Sequence, residues 1–423
     1  MSRLLLALAL AVALPASAQD LLIRNATVHP GAAPGVLKDH DVLVQGGVVR
    51  AIGVDLAAPA GVAEVDAKGR SLTPGLFGGL TGLGIKEVSG EVATVDANLS
   101  LGTSVPAPES AWRPEFDVDL AFNPASVAIG VNRVEGVTWT VLSPGSQPGG
   151  SFVAGQGSAV LLDGRYEAAV PGSRSLFVNL GGGASPFSGG SRAGQWMLLE
   201  QAVAEARTGA SEGLLTKSGR GVMARYLAGG RVVFHVDRAA DILQVLAFAK
   251  KHGLKPVIAG GAEAWRVAPQ LKAADVPVLV DALANLPSNF DSLGSTLENA
   301  ARLHRAGVRV AFSQSGDSTH NARKLRQLAG NAVANGLPWD AALAGITSVP
   351  AEIFGLSAQR GRIAVGQVAD LVLWSGADPL EVTVVAEQVW QAGKPASMRS
   401  RQTELRDRYL APTGALPRAY PAR

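Results

Sequence analysis

Residues 231–280 read RVVFHVDRAADILQVLAFAKKHGLKPVIAGGAEAWRVAPQLKAADVPVLV. Arg231 to Val236 is a β-branched, apolar run suited to a buried strand. From Ala239 to His252 the apolar residues recur at helical spacing, and Gly253 ends the period where a left-handed C-cap is needed. Pro256 to Ala259 forms the next strand, Glu263 to Ala274 the next helix, and Val276 to Val280 the strand after that.

The same alternation continues in both directions. Leu293 to Ala306 reads as helix, Val308 to Ser313 as strand and Ala322 to Asn335 as helix, while Val137 to Leu142 is a buried strand upstream. Strand–helix alternation over residues 74–345 predicts an α/β chain with a TIM-type (β/α)8 barrel, which typically takes about 250 residues. A doubly wound sheet is the alternative, but no G-x-G-x-x-G stands between a strand and a helix. Gly181-Gly182-Gly183 follows the strand Phe177 to Leu180, yet Pro186 and the surrounding Ser and Gly give a loop. Residues 143–192 supply long loops with a β excursion at Val153 to Leu162.

Both ends change character. In residues 20–73 short β units alternate, with a hairpin turning at Gln45-Gly46-Gly47. Residues 346–396 return to β with Gly361-Arg362-Ile363, Ala369 to Trp374 and Val382 to Gly393. Together they predict a composite β-sandwich formed by the N- and C-terminal segments. Residues 397–423 make a polar, Arg-rich tail with Pro412, Pro417 and Pro421.

Of 423 residues, 47% are hydrophobic and 17% charged, enough to bury a large core. Lys plus Arg is 38 against 35 for Asp plus Glu, a net +3, and no basic run is interleaved with aromatics. Nucleic acid is therefore not an expected partner. Arg3, the apolar stretch Leu4 to Leu14 and Ala16-Ser17-Ala18 read as a signal peptide over residues 1–18, implying a periplasmic or secreted protein. That stretch is short of the roughly 20 residues that span a bilayer, so no membrane span is expected after cleavage. Cysteine is absent, which removes thiolate nucleophiles, Cys-based zinc sites and a lipid anchor. The His set is His29, His40, His235, His252, His304 and His320.

Three segments resemble the amidohydrolase superfamily, in its imidazolonepropionase-like branch. Asp66 to Leu76, with Thr73-Pro74-Gly75, is similar to the family's entry into its barrel. Asn321 to Trp339 is similar to the last barrel unit, and Gly355 to Leu373 to the return into the sandwich. The resemblance implies metal-assisted hydrolysis of carbon–nitrogen bonds other than peptide bonds, with zinc or a similar ion activating water and an Asp moving the proton. It also implies H-x-H on the first strand, His on the fifth and sixth, and Asp on the eighth.

This chain departs from that set. Leu80 and Gly82 stand at the H-x-H, and Gly260 stands at the sixth-strand His. His235 fits the fifth. At the eighth, Gln314, Ser315 and Asp317 all remain open. No resident cofactor is expected, and a zinc or other divalent ion only in a rearranged site. The candidate catalytic residues are His235 at a strand end, and Asp317 with His320 in the loop after strand eight as a general-base pair. A helix cap by Ser318 or Thr319 with a solvated His320 is the plainer reading of that loop. Glu263 and Glu87 are weaker candidates, and His29, His40, His252 and His304 are read as structural. Gly155-Gln156-Gly157-Ser158 lacks the second Gly of a nucleophile elbow. Two functions stay open: a C–N hydrolase, or an inactive descendant that binds a small molecule at the barrel mouth or partners an intact paralogue. A homo- or hetero-oligomer is compatible with both.

Overall fold

The computed structural model describes residues 20–31, 35–101, 112–147, 150–209, 213–316 and 318–410. The expected signal peptide lies outside them. No helix among the described residues is long and apolar enough to cross a membrane.

The N-terminal strands are β1 (Leu21–Val28), β2 (Leu37–Gln45), β3 (Val48–Gly53), β4 (Ala63–Asp66) and β5 (Ser71–Pro74). The barrel follows, with β6 (Leu76–Thr81), β7 (Val137–Leu142), β8 (Val153–Gly157), β9 (Ala159–Leu161), β10 (Ser175–Asn179), β11 (Arg231–Val236), β12 (Lys255–Gly260), β13 (Val278–Val280) and β14 (Val310–Phe312). Then come β15 (Leu371–Trp374), β16 (Ala386–Gln391) and β17 (Lys394–Pro395).

β1 to β5 and β15 to β17 share one eight-stranded sheet, so the two ends of the chain do combine. Its centre is β1, whose register shifts between Ile23 and Ala26. Residues before the shift pair with β4 and residues after it with β5, on the same side. β15 lies antiparallel to β5, and Trp374 Nε1 donates to Thr73 Oγ1 across that seam. The segment Gly361 to Ile363 is not a strand, and Val48 meets Val368 only as an isolated bridge. The polar tail carries a helix, Arg401–Leu410.

The second unit is a TIM-barrel-like α/β fold. β6 and β7 are parallel, and β10 to β14 form a parallel run. Between them, β9 runs antiparallel to β7 and β8 antiparallel to β10, with Ser158 joining the two. β8 and β9 therefore serve as one reversed stave, the third of eight. Counted this way, β11 is the fifth stave, β12 the sixth and β14 the eighth. Among the described residues no ladder joins β14 to β6. The Leu80 N–H donates instead to Ser313 Oγ at 3.0 Å. Phe77, Trp139, Phe177, Phe234, Phe312 and Phe354 are fully buried in the barrel's core.

Several helices are shorter than the periodicity predicts. The Glu263–Ala274 segment splits into a 3-10 turn, Ala264–Val267, and a helix, Ala268–Ala273. In the 293–306 segment only Asn299–Arg305 is α-helical. Ser295 there lines the mouth, and beside it the Gly294 N–H donates to Glu263 Oε1 at 2.9 Å. By contrast, helix Ala239–His252 matches residue for residue, and Gly253 ends it at φ +73°.

Candidate functional site

The strands' C-terminal ends open on a cavity of about 610 Å³. Its wall includes Leu80 and Gly82 from the end of β6, Asn179 from β10, His235 and Asp237 from β11, and Gly260 from β12. Asp281 after β13, Ser313 to Gly316 after β14, and Thr319 complete the rim. This is the face on which such barrels carry their chemistry.

His235 sits beside Asn179 and Ala259 in register. Its ring lies 6.3 Å from that of Phe177, and its nitrogens have no hydrogen-bond partner among the described residues. Burial drives its pKa down to about 4, so at neutral pH it is an uncharged imidazole. Asp237 has one side-chain contact, its Oδ1 accepting the Ala262 N–H at 3.2 Å. Burial first, and then Asp291, Asp281 and Glu263, push its carboxyl above the ordinary range.

Asp281 caps the loop after β14 by accepting the Ser315 N–H at 2.9 Å, together with the Ser315 hydroxyl. Asp291 accepts the Gly182 N–H and pairs with Arg192, whose Nε also reaches Asp241 at 3.1 Å. Arg238 closes this chain onto Asp241 at 2.7 Å. The network ties the loop after β13 to the loop after β10, so the mouth is held by ion pairs between its loops. Glu263 accepts the Ala239 N–H at 3.1 Å and so stabilises the start of helix Ala239–His252, where an anion is favoured.

The candidate residues do not come together in one place. His235 lines the cavity. His320 is exposed on the short helix Ser318–Asn321 and is not part of the lining. Asp317 lies outside the described residues. Glu87 is also away from the lining. His29 and His252 are buried, against Ser71 and Glu200 respectively. Sequence reasoning missed Asn179, Asp281 and Thr319. Two of these carried a signal, since Asn179 ends β10 and Asp281 directly follows β13, and polar strand ends face the mouth.

Comparison with known proteins agrees with this geometry. The sequence model of the amidohydrolase family matches residues 217–397. The solved structure of an amidohydrolase from Thermotoga maritima MSB8 covers 90% of this chain and 100% of its own, at 26% identity and a TM-score of 0.77. The imidazolonepropionase of Chromobacterium violaceum is 27% identical over 400 residues, 85% of this chain and 91% of that protein. The family model, this relative and this solved structure together support the amidohydrolase superfamily, in its imidazolonepropionase-like branch. Molinate hydrolase, at 13% identity, covers 96% of this chain and 99% of its own with a TM-score of 0.54, and shares the fold.

Amidohydrolases generally use a metal, which would ask this mouth for about three ligand side chains. Counting staves from β6 puts Leu80 and Gly82 on the first, His235 on the fifth and Gly260 on the sixth. Gly260 has φ +86°, and a Cβ built on it would lie 2.6 Å from Asp237 Oδ1. The volume that a sixth-stave imidazole would occupy is thus taken by a carboxylate. Leu80 is 5% exposed and belongs to the apolar core. Among the described residues no three His, Asp or Glu side chains converge on a common point. These residues do not fit a catalytic zinc, which usually has three protein ligands.

Proposed function

We propose that this is an exported amidohydrolase-family protein that binds a small molecule at the barrel mouth and has lost its lineage's metal-assisted hydrolysis of carbon–nitrogen bonds. The observation that carries this reading is Gly260. Its backbone conformation strains any side chain and a Cβ there would displace the Asp237 carboxylate, so the departure is built partly into the main chain. The cavity itself is retained, with polar strand ends still facing it.

One feature favours a second reading. Asp237 is a mouth carboxyl held above its ordinary range, and such a group suits general-base catalysis without a metal. On this reading C–N hydrolysis survives with Asp237 moving the proton.

The experiment uses full-length protein purified without a His tag. Elemental analysis should find well under one equivalent of Zn, Ni, Mn or Fe. Chelator should leave the melting temperature unchanged, because no bound ligand contributes to it. A screen of amides, lactams and dipeptides should show no turnover. Turnover lost in Asp237→Asn selects the second reading, and a stoichiometric metal overturns both. Fractionation of the producing cells tests the export step.

A further inference from the structure

We infer that the cavity takes a small organic cation, an amine or guanidinium, seated against Asp237 and Asp281 with its polar body reaching Thr319. This inference rests on the binding reading above and names the ligand class for that site.

Among the described residues three carboxylates line the cavity: Asp237, Asp281 and Asp291. Asp291 is neutralised by Arg192. Among the described residues Asp237 and Asp281 have no ion-pair partner, and Asp237 Oδ2 accepts no hydrogen bond. The cation in the same lining, Lys86, already has an interaction of its own. His235 adds no charge there. The mouth therefore carries excess negative charge, in surroundings where an unpaired ion is costly.

The second observation is independent of the acids. Thr319 is only 5% exposed, faces the cavity, and its hydroxyl has no hydrogen-bond partner among the described residues. It stands across from Gly82, where an added Cβ would lie 3.0 Å from Thr319 Oγ1. Its hydroxyl is not among the sealed, unpartnered polar atoms, so on an otherwise buried residue it opens on the cavity and is free to meet a ligand atom. The ring nitrogens of His235 are open on the same cavity. Among the described residues no three acids or imidazoles converge as metal donors would. Spread-out acceptors suit the several N–H groups of an ammonium or guanidinium.

The test is calorimetric titration of the full chain at pH 7 with agmatine and cadaverine, against glutarate and 1,5-pentanediol as chain-matched controls. One of the two cations should bind, with each control at least about tenfold weaker, a gap of about 1.4 kcal/mol. Raising the salt should weaken the cation and leave the diol unchanged. Asp237→Asn keeps an acceptor for the Ala262 N–H and should weaken cation binding about tenfold. The wild-type salt series decides the matter even if that variant misfolds. Glutarate or pentanediol binding as well as the amines overturns the cation inference while the binding reading stands. No amine binding at millimolar concentration also overturns it. Stoichiometric metal or amide turnover overturns the functional reading and leaves the amine titration to be judged separately.

Discussion

Gly260→His, which restores the residue type expected on the sixth stave, should destabilise the protein and recruit no metal. Gly260 sits at φ +86°, and holding a side chain in such a region costs of order 1–3 kcal/mol. The new Cβ would also meet Asp237 Oδ1 at 2.6 Å, with Val236 O next at 3.7 Å. Moving Asp237 aside gives up its 3.2 Å bond from the Ala262 N–H, worth about 1 kcal/mol. The combined loss is about 3 kcal/mol, which at 2–4 °C per kcal/mol lowers the melting temperature by roughly 6–12 °C. The assay is thermal and urea unfolding of wild type, Gly260→Ala and Gly260→His, with elemental analysis of each. Alanine carries the strain and the first clash without the imidazole, so it should show most of the loss. A Gly260→His protein as stable as wild type, or one holding an equivalent of zinc, refutes the argument that the main chain closed this position.

The imidazole of His235 is kept neutral by burial, with its pKa moved from 6.5 to about 4. A lowered His pKa means the unfolded chain takes up the proton first, so stability is intact above pH 6.5 and falls as pH drops toward 4. The loss should approach about 3 kcal/mol, and urea midpoints of wild type and His235→Gln between pH 7 and 4 check it, since the variant should lose this component. Leu80→His with Gly82→His returns two imidazoles to the cavity that His235 already lines; zinc uptake measured by elemental analysis should rise above wild type, and no rise would unseat the stave assignment. Ser313→Ala removes the acceptor for the Leu80 N–H where β14 and β6 meet without a ladder. It should cost about 1–2 kcal/mol and speed hydrogen exchange at Leu80, and unchanged exchange would show that the bond does not hold the seam.

The parts of the fold that could be read in sequence are those whose burial is periodic. β11 and helix Ala239–His252 match their predicted limits because a continuous apolar strand and a glycine-stopped amphipathic helix leave little ambiguity. The reversal of β8 and β9 could not be read, since an apolar strand buried on both faces has the same pattern in either direction. The sandwich expectation missed the branching of β1, which depends on a register shift at Asn25, where φ is +53°. At the site, His235 stood out because it falls where the resembled family has its fifth-strand His. Thr319 did not, because its role comes from which loops meet over the mouth. The blocking of Gly260 by Asp237 depends on two residues 23 positions apart, and no local pattern encodes it.

The shared terminal sheet has a consequence for the order in which the molecule can assemble. β1, β2 and β3 pair as soon as they are made, but β5 must wait for β15, with Thr73 and Trp374 separated by 301 positions. At translation rates of about 5–20 residues per second, that wait is roughly 15–60 s. Through that interval the nascent sheet offers an unpaired β5 edge, Ser71–Pro74, all of whose residues end up buried. An open edge of this kind is a template for pairing with a neighbouring chain. That edge closes only when β15, in the last eighth of the polypeptide, has been made.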